Sequence, residues 1–222
     1  MPTAPCSLIY LAYGSAALHA EAIYSLLSYY QVARPAVQVL IYTDAAAVFE
    51  QALGERPGVH YPPVTPDEWQ RWRGSSNKVY LLKIGVLTHA AQHYPGNLLF
   101  VDTDTIWQVD PAPLFTQIED GQFVMHVSEG KLATGNELSR KVYRHLKKQV
   151  FVVAQRELSV DSTTVLYNSG VLGLSAALAT QLAEVVLLAD QLYAAYNKHM
   201  MEQLAFSMWF GETNAIIEAA PY

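Results

Sequence analysis

The chain is poor in cysteine, in basic charge and in glycine-rich signatures. A single cysteine, Cys6, stands among 222 residues, so no internal disulfide forms and no Cys/His zinc spacing exists. A reducing cytosol suits that count. Lysine and arginine number 14 against 20 aspartates and glutamates, a formal charge of −6. No basic excess is left to neutralise the phosphates of a nucleic acid, although a small anionic ligand needs only a local cluster of charge. Neither GxGxxG nor GxSxG occurs, which removes the dinucleotide and serine-hydrolase signatures. The opening MPTAPCSLIYLAYGS has no basic n-region and only a short, tyrosine-rich apolar run. No signal peptide and no membrane span are expected, and the chain reads as soluble and cytoplasmic.

What is present is apolar: 51% hydrophobic residues, only 15% charged, and 14 tyrosines, a composition that builds a large core. The run 7–13 (SLIYLAY) predicts a strand, and Ile23, Leu26, Leu27 and Tyr30 mark one face of a helix that Arg34-Pro35 should break. A second strand at 37–42 (VQVLIY) and a helix at 45–53 follow. Strand, helix, strand, helix points to parallel pairing. Segment 54–66 holds four of the eleven prolines and reads as turns. A helix through Val79, Leu82, Val86 and Ala90, a strand at 98–101, a short helix at 111–119 and a strand at 122–127 come next. A basic-faced helix is expected over 136–155, an interrupted strand over 165–174, a helix from Ser175 to about residue 196, and a last helix over 201–210.

One stretch raises a chemical question. Residues 98–107 read LLFVDTDTIW, so a buried strand runs straight into two carboxylates. Like charges that close repel unless they are solvated or share a cation. On an extended chain alternate side chains face one way, so Asp102 and Asp104 could both meet one Mg²⁺ or Mn²⁺, with water and phosphate oxygens completing the shell. Two architectures place Asp-x-Asp after such a strand. A haloacid-dehalogenase-like phosphatase would use the first Asp as nucleophile, but Ile106 departs from its pattern and Asp190, isolated on a helix, supplies no later acidic pair.

The other is the GT-A glycosyltransferase, and here five blocks match in order. LIYLAYGSAALHAEAIYSLLSYY resembles the first nucleotide-binding strand and helix of family 8, the glycogenin and galactosyltransferase type with its uncharacterised bacterial relatives. VLIYTD resembles the second strand, and KIGVLTHAAQHYPGNLLFVDTDTIW the helix lysine and DxD strand. YNSGVLGL resembles the family's Asn-Ser-Gly strand, and MEQLAFSMWF the segment usually written with Asp-Gln.

The resemblance implies an α/β fold of GT-A type, one domain over residues 1–222, with a mainly parallel twisted sheet flanked by helices. It also implies a metal-dependent hexosyl transfer, with Mn²⁺ or Mg²⁺, from a nucleoside-diphosphate sugar. In family terms that donor is UDP-linked, the acceptor is a hydroxyl on a saccharide, lipid or protein, and the outcome is retention. Residue by residue, Ala12, Tyr13 and Gly14 would line the nucleoside pocket, with Tyr13 stacking on the base. Lys83, catalytic as well as substrate-binding, would approach the diphosphate or the donor sugar; Asp102, with Thr103, would meet ribose or metal; Asp104 would be the firmer metal ligand. Asn168 and Ser169 would face the sugar, and Glu202 and Gln203 would flank the anomeric carbon as catalytic residues. His126 and Glu129 could shape the acceptor side, and Arg71, Arg73 and Lys78 around WRGSSNK could form a lid over the diphosphate. Family members complete the metal site with a C-terminal histidine followed by a lysine; NAIIEAAPY has neither, and His199 is in the wrong place. Either a tail follows residue 222 or the site has fewer protein ligands, which keeps a nucleotide-sugar binder without turnover as the alternative.

Overall fold

Alternating apolar segments fold as their spacing requires in the N-terminal half of the chain. In the computed structural model, which describes residues 4–33, 37–212 and 215–220, β1 (Cys6–Ala12), α1 (Ala16–Val32), β2 (Gln38–Thr43) and α2 (Ala46–Leu53) follow one another. Ser15 caps α1 by accepting from the Leu18 N–H at 3.3 Å. The helix break expected at Arg34-Pro35 lies outside the described residues. The proline-rich segment is less irregular than its composition suggests. It holds a two-residue strand, β3 (Val59–His60), and its last residue opens a short helix, α3 (Pro66–Arg71). Thr65 and Glu68 close a reciprocal capping box around α3, with Pro66 in its first turn.

A 3₁₀ turn at Val79–Leu81 leads into α4 (Leu82–His93), then β4 (Asn97–Val101), in which every residue is buried. The chain continues through α5 (Ala112–Glu119), β5 (Phe123–Met125), β6 (Ser128–Lys131) and α6 (Glu137–Leu146). The helix expected over 136–155 stops there, and residues 150–159 form a hairpin of β7 (Val150–Val153) and β8 (Arg156–Ser159). Two features override the helix. Burial alternates with period two, Phe151 and Val153 in and Val150 and Val152 out, and Ala154 and Gln155 both take positive φ, 46° and 65°, as a tight hairpin turn demands.

β9 (Val165–Tyr167) and β10 (Val171–Leu174) flank the Asn-Ser-Gly interruption. Ser175 caps as expected, but the helix splits into α7 (Ala176–Ala179) and α8 (Leu182–Ala195) before α9 (Met201–Gly211) and β11 (Ile216–Glu218).

Seven strands form one sheet in the order β11-β5-β10-β4-β1-β2-β3. β1 pairs in parallel with β2 and β4, β2 with β3, and β5 with β11, while β10 runs antiparallel to β4 and β5. The sheet is therefore mainly parallel and covered on both faces. Leu8 and Tyr10 pack with Leu26, Phe49 and Phe115 from α1, α2 and α5; Ile9 and Phe100 pack with Leu87, Leu188 and Phe206 from α4, α8 and α9. Strands buried on both faces must be apolar throughout, which explains the near-continuous runs in β1, β2 and β4.

Gly85 shows how tightly α4 is seated. A β-carbon there would fall inside the Trp72 side chain, so the segment after α3 closes directly on the helix backbone. Gly85→Ala is expected to lower stability by roughly 1–3 kcal/mol by overpacking, despite alanine's better helix propensity, as read from urea midpoints.

Candidate active site

Parallel β1, β2 and β4 end side by side, and their carboxyl ends carry the residues singled out above. Asp102 follows β4 directly, but residues 103 and 104 turn rather than continue extended. The Thr105 hydroxyl donates to the Asp102 carbonyl at 2.8 Å, and the Asp102 N–H donates to the Gly170 carbonyl at 2.7 Å. Strict alternation on an extended chain therefore does not describe the Asp pair, although both carboxylates still line one cavity. Thr103 turns away from it: its hydroxyl is buried and donates to Glu21 on α1 at 3.0 Å. Beneath the turn, Thr105, Ser25, Tyr10 and Trp107 form a polar ladder with contacts of 3.1, 2.7 and 3.0 Å. That ladder satisfies the hydroxyl of the fully buried Tyr10 and fixes the loop against α1.

Lys83, one residue into α4, joins distant parts of the chain. Its ammonium lies 3.1 and 3.2 Å from the two Asp102 oxygens, 2.7 Å from the Ser169 carbonyl and 3.3 Å from the Ser169 hydroxyl. Ser169 in turn donates its hydroxyl to Glu202 Oε2 at 3.0 Å. Lys83, Asp102, Ser169 and Glu202 thus form one inner chain of polar groups. The Lys83 side chain is 12% exposed and that of Asp102 40%. Burial pushes the Asp102 carboxyl above its usual range, and Lys83 opposes that rise. Glu202 is 3% exposed. Burial raises its carboxyl to about 7 against the pull of Lys83. Among the described residues its Oε1 has no hydrogen-bond partner.

An outer layer sits over this chain. Asn168 Nδ2 and Gln203 Nε2 both donate to Glu129, at 3.1 and 3.3 Å. His126 Nδ1 lies 3.3 Å from Asn168 Oδ1. A cavity of about 470 Å³ is lined by Asp102, Asp104, His126, Asn168 and Gly170, with Ala219 and Ala220 at its edge. Ala219 and Ala220 arrive there because their N–H groups donate to the Met125 and His126 carbonyls. Among the described residues no three His, Cys, Asp or Glu side chains gather as a ready-made cation site. His199 makes its contacts elsewhere, its carbonyl accepting from Tyr193 at 3.3 Å and its ring lying 6.3 Å from that of Tyr80.

The end of β1 forms a second cluster, without a direct bond to Lys83. Ala12 is buried, and the Tyr13 ring, 37% exposed, lies 4.6 Å from that of Trp69. The Gly14 N–H donates to both Asp44 oxygens at 3.2 Å, and His19 Nε2 meets Asp44 at 2.9 Å. Desolvation raises the Asp44 carboxyl, but these hydrogen bonds outweigh it and leave it below its usual range. Gly14 needs no side chain here, since its φ is +96°. Trp69 and Asp44 were not among the expected site residues. Asp44 had a signal, as the residue that closes a parallel strand at its carboxyl end; Trp69, on the short helix α3 just past the proline-rich segment, had none. The WRGSSNK stretch is tied down by α8: the Ser75 N–H and the Ser76 hydroxyl donate to Asp190 at 3.3 and 3.0 Å. Arg71 is exposed, and Arg73 and Lys78 are half-buried.

No family model matches the chain, and no curated protein matches it. Solved structures do. Mouse xyloside xylosyltransferase 1 in its apo form aligns over 95% of this chain and 83% of its own, with a TM-score of 0.65 at 14% identity. The galactosyltransferase LgtC, in complex with donor and acceptor sugar analogs, aligns over 90% of this chain and 69% of its own, with a TM-score of 0.59 at 12% identity. The chain has the GT-A fold. A third solved structure aligns over a smaller part of its own chain. The apo bifunctional glycosyltransferase WbbM aligns over 97% of this chain and 39% of its own, with a TM-score of 0.53 at 6% identity. The parallel pairing of β1, β2 and β4 puts the Asp pair at the carboxyl edge of the central sheet, the edge at which open α/β sheets in general hold ligands. Among the described residues no helix is long and apolar enough to cross a membrane.

Proposed function

We propose that the chain is a glycosyltransferase that moves a hexose from a nucleoside-diphosphate sugar, UDP-linked, to an acceptor hydroxyl with retention at the anomeric carbon. The observation that carries this reading is the convergence of Lys83 on Asp102 and Ser169 at the carboxyl ends of a GT-A sheet. A lysine with both a carboxylate and a carbonyl as partners is a mobile point charge already placed beside a site for an anion. Tyr13 and Trp69 offer an aromatic platform for the base. Asn168, Ser169, Glu202 and Gln203 offer amide, hydroxyl and carboxyl groups that match sugar hydroxyls. The unpartnered Glu202 Oε1 is an acceptor that a sugar hydroxyl would satisfy.

The donor set suits a hard divalent ion held jointly with substrate. Asp102 and Asp104 line the same cavity, and Mg²⁺ or Mn²⁺ is commonly bound by one or two carboxylates plus phosphate oxygens and water. Such an ion would supply charge stabilisation on the departing diphosphate. The chain's own groups do the rest. Lys83 shifts from Asp102 toward the diphosphate as the bond from the anomeric carbon to its phosphate oxygen breaks. The outer layer holds the sugar while the acceptor oxygen forms the new bond and its proton passes to the leaving group.

Calorimetry with UDP and Mn²⁺ tests the reading. Metal-dependent UDP binding, and release of UDP from UDP-glucose or UDP-galactose that falls at least about a hundredfold in Asp104→Ala, are the expected results. Absence of metal-dependent UDP binding would sink the transferase proposal. UDP binding without turnover would leave the binder, a reading favoured by the lack of three gathered cation ligands among the described residues.

A further inference from the structure

Glu129 takes no part in the reaction just described, yet it is the group on which the outer layer hangs. Its carboxylate uses both oxygens, Oε1 accepting from Asn168 Nδ2 at 3.1 Å and Oε2 from Gln203 Nε2 at 3.3 Å. Those partners lie 39 and 74 residues away in sequence. One carboxylate therefore links the strand break before β10 to the first turn of α9.

The direction of each amide follows from its neighbours. A backbone N–H can only donate, so the Asn168 atom 2.8 Å from the Gly170 nitrogen is the carbonyl oxygen. Its NH₂ end then faces Glu129. The same oxygen meets His126 Nδ1 at 3.3 Å, so that nitrogen carries the ring proton. An ionised carboxylate can only accept, so Gln203 also turns its NH₂ end to Glu129 and its carbonyl oxygen away.

The backbone delivers Glu129 to this place by an irregularity. β6 and β9 pair Ser128 with Tyr167 and then Gly130 with Leu166, so Glu129 is the extra residue of a bulge. Gly130 has φ +85° with nothing within 4 Å of where a β-carbon would stand, so backbone conformation rather than space calls for glycine. Bulges re-aim single side chains and are common beside active sites.

We propose that Glu129 is a positioning residue: held by the bulge, it grips Asn168 and Gln203 by their N–H ends and keeps the Gln203 carbonyl oxygen turned to the sugar. The proposal rests on the transferase reading. Its first test does not need turnover. In ¹⁵N-labelled protein the side-chain NH₂ signals of Asn168 and Gln203, assigned by their loss in Asn168→Ser and Gln203→Leu, should both move in Glu129→Ala. Signals that stay put in Glu129→Ala overturn the proposal. The second test is kinetic, with UDP release from UDP-glucose or UDP-galactose. Glu129→Gln, which keeps one acceptor oxygen for two amides, should lower kcat about tenfold to a hundredfold while the donor KM stays within about twofold. Glu129→Asp, one methylene short of both partners, should not restore it. An unchanged kcat in Glu129→Gln, or full rescue by Glu129→Asp, overturns the positioning role. If the wild type itself releases no UDP from either donor, the transferase reading fails, and the NMR result alone decides whether Glu129 holds the two amides. Melting temperatures guard against loss of fold.

Discussion

Lys83→Met should abolish most sugar transfer and weaken the fold as well. The ammonium contacts Asp102 and Ser169 through four polar atoms within 3.3 Å and lies 5.0 Å from the Phe100 ring centroid. Removing one preorganised cation from the leaving diphosphate costs on the order of 10²–10³ in kcat. The stability effect has a separate origin. Asp102 and the buried Glu202 would share a pocket with no positive charge between them. Deleting one partner of a fully buried ion pair costs about 3–5 kcal/mol, and because the Asp102 side chain is 40% exposed the expected loss here is smaller, about 2 kcal/mol. Lys83→Arg should not restore activity, since a planar guanidinium cannot reproduce three donors on one point. UDP release from UDP-glucose or UDP-galactose and urea midpoints measure the two effects; wild-type turnover in Lys83→Met would remove lysine from the mechanism.

Glu202→Gln should flatten the pH dependence of stability. The folded-state carboxyl is raised to about 7 by burial, above its value of about 4.3 in an unfolded chain. An acid with a raised folded pKa stabilises the fold fully below the unfolded value and loses that contribution as pH climbs through the folded value. Between about pH 4.3 and 7 the wild type should therefore lose on the order of 3 kcal/mol relative to Glu202→Gln, which cannot ionise. Carboxyls held low, such as those of Asp44 and Asp161, work in the opposite sense, so the comparison must be made between the two proteins and not on the wild type alone. Equal slopes of denaturation free energy against pH would show that Glu202 ionises as an ordinary glutamate. Ser169 should report the same event, because it donates to the ionised Oε2 while accepting from Lys83.

Legibility followed the reach of the signal. β1, β2 and β4 were readable because a strand buried on both faces is apolar along nearly its whole length, and α1 was readable as a helix from its period, although its buried face runs through His19, Ala22, Ser25, Leu26 and Tyr29 and leaves Leu27 exposed. The 150–159 hairpin was not, since β7 carries only two buried residues and β8 one, and its turn, Ala154-Gln155, lacks the usual glycine. Asp102, Lys83, Asn168, Ser169, Glu202 and Gln203 stood out as residue types, but no sequence rule tells that they sort into an inner layer joined by Lys83 and an outer one joined by Glu129. Thr103 faces α1 instead of the cavity because a turn follows β4. Trp69 reaches Tyr13 from the short helix α3 and Glu129 reaches its partners from a bulge, contacts that join residues far apart in the chain.

The two hydrogen bonds from Ser75 and Ser76 to Asp190 carry a statistical meaning. If each is worth about 1 kcal/mol, the two together favour the attached segment by about thirtyfold, and the Lys78 ammonium 5.8 Å from the Tyr193 ring centroid on α8 adds to the hold, so the detached fraction lies below about one in thirty. A donor that needs that segment displaced would meet a small but standing fraction of receptive molecules, and Asp190→Ala would enlarge that fraction without touching a single group that binds sugar.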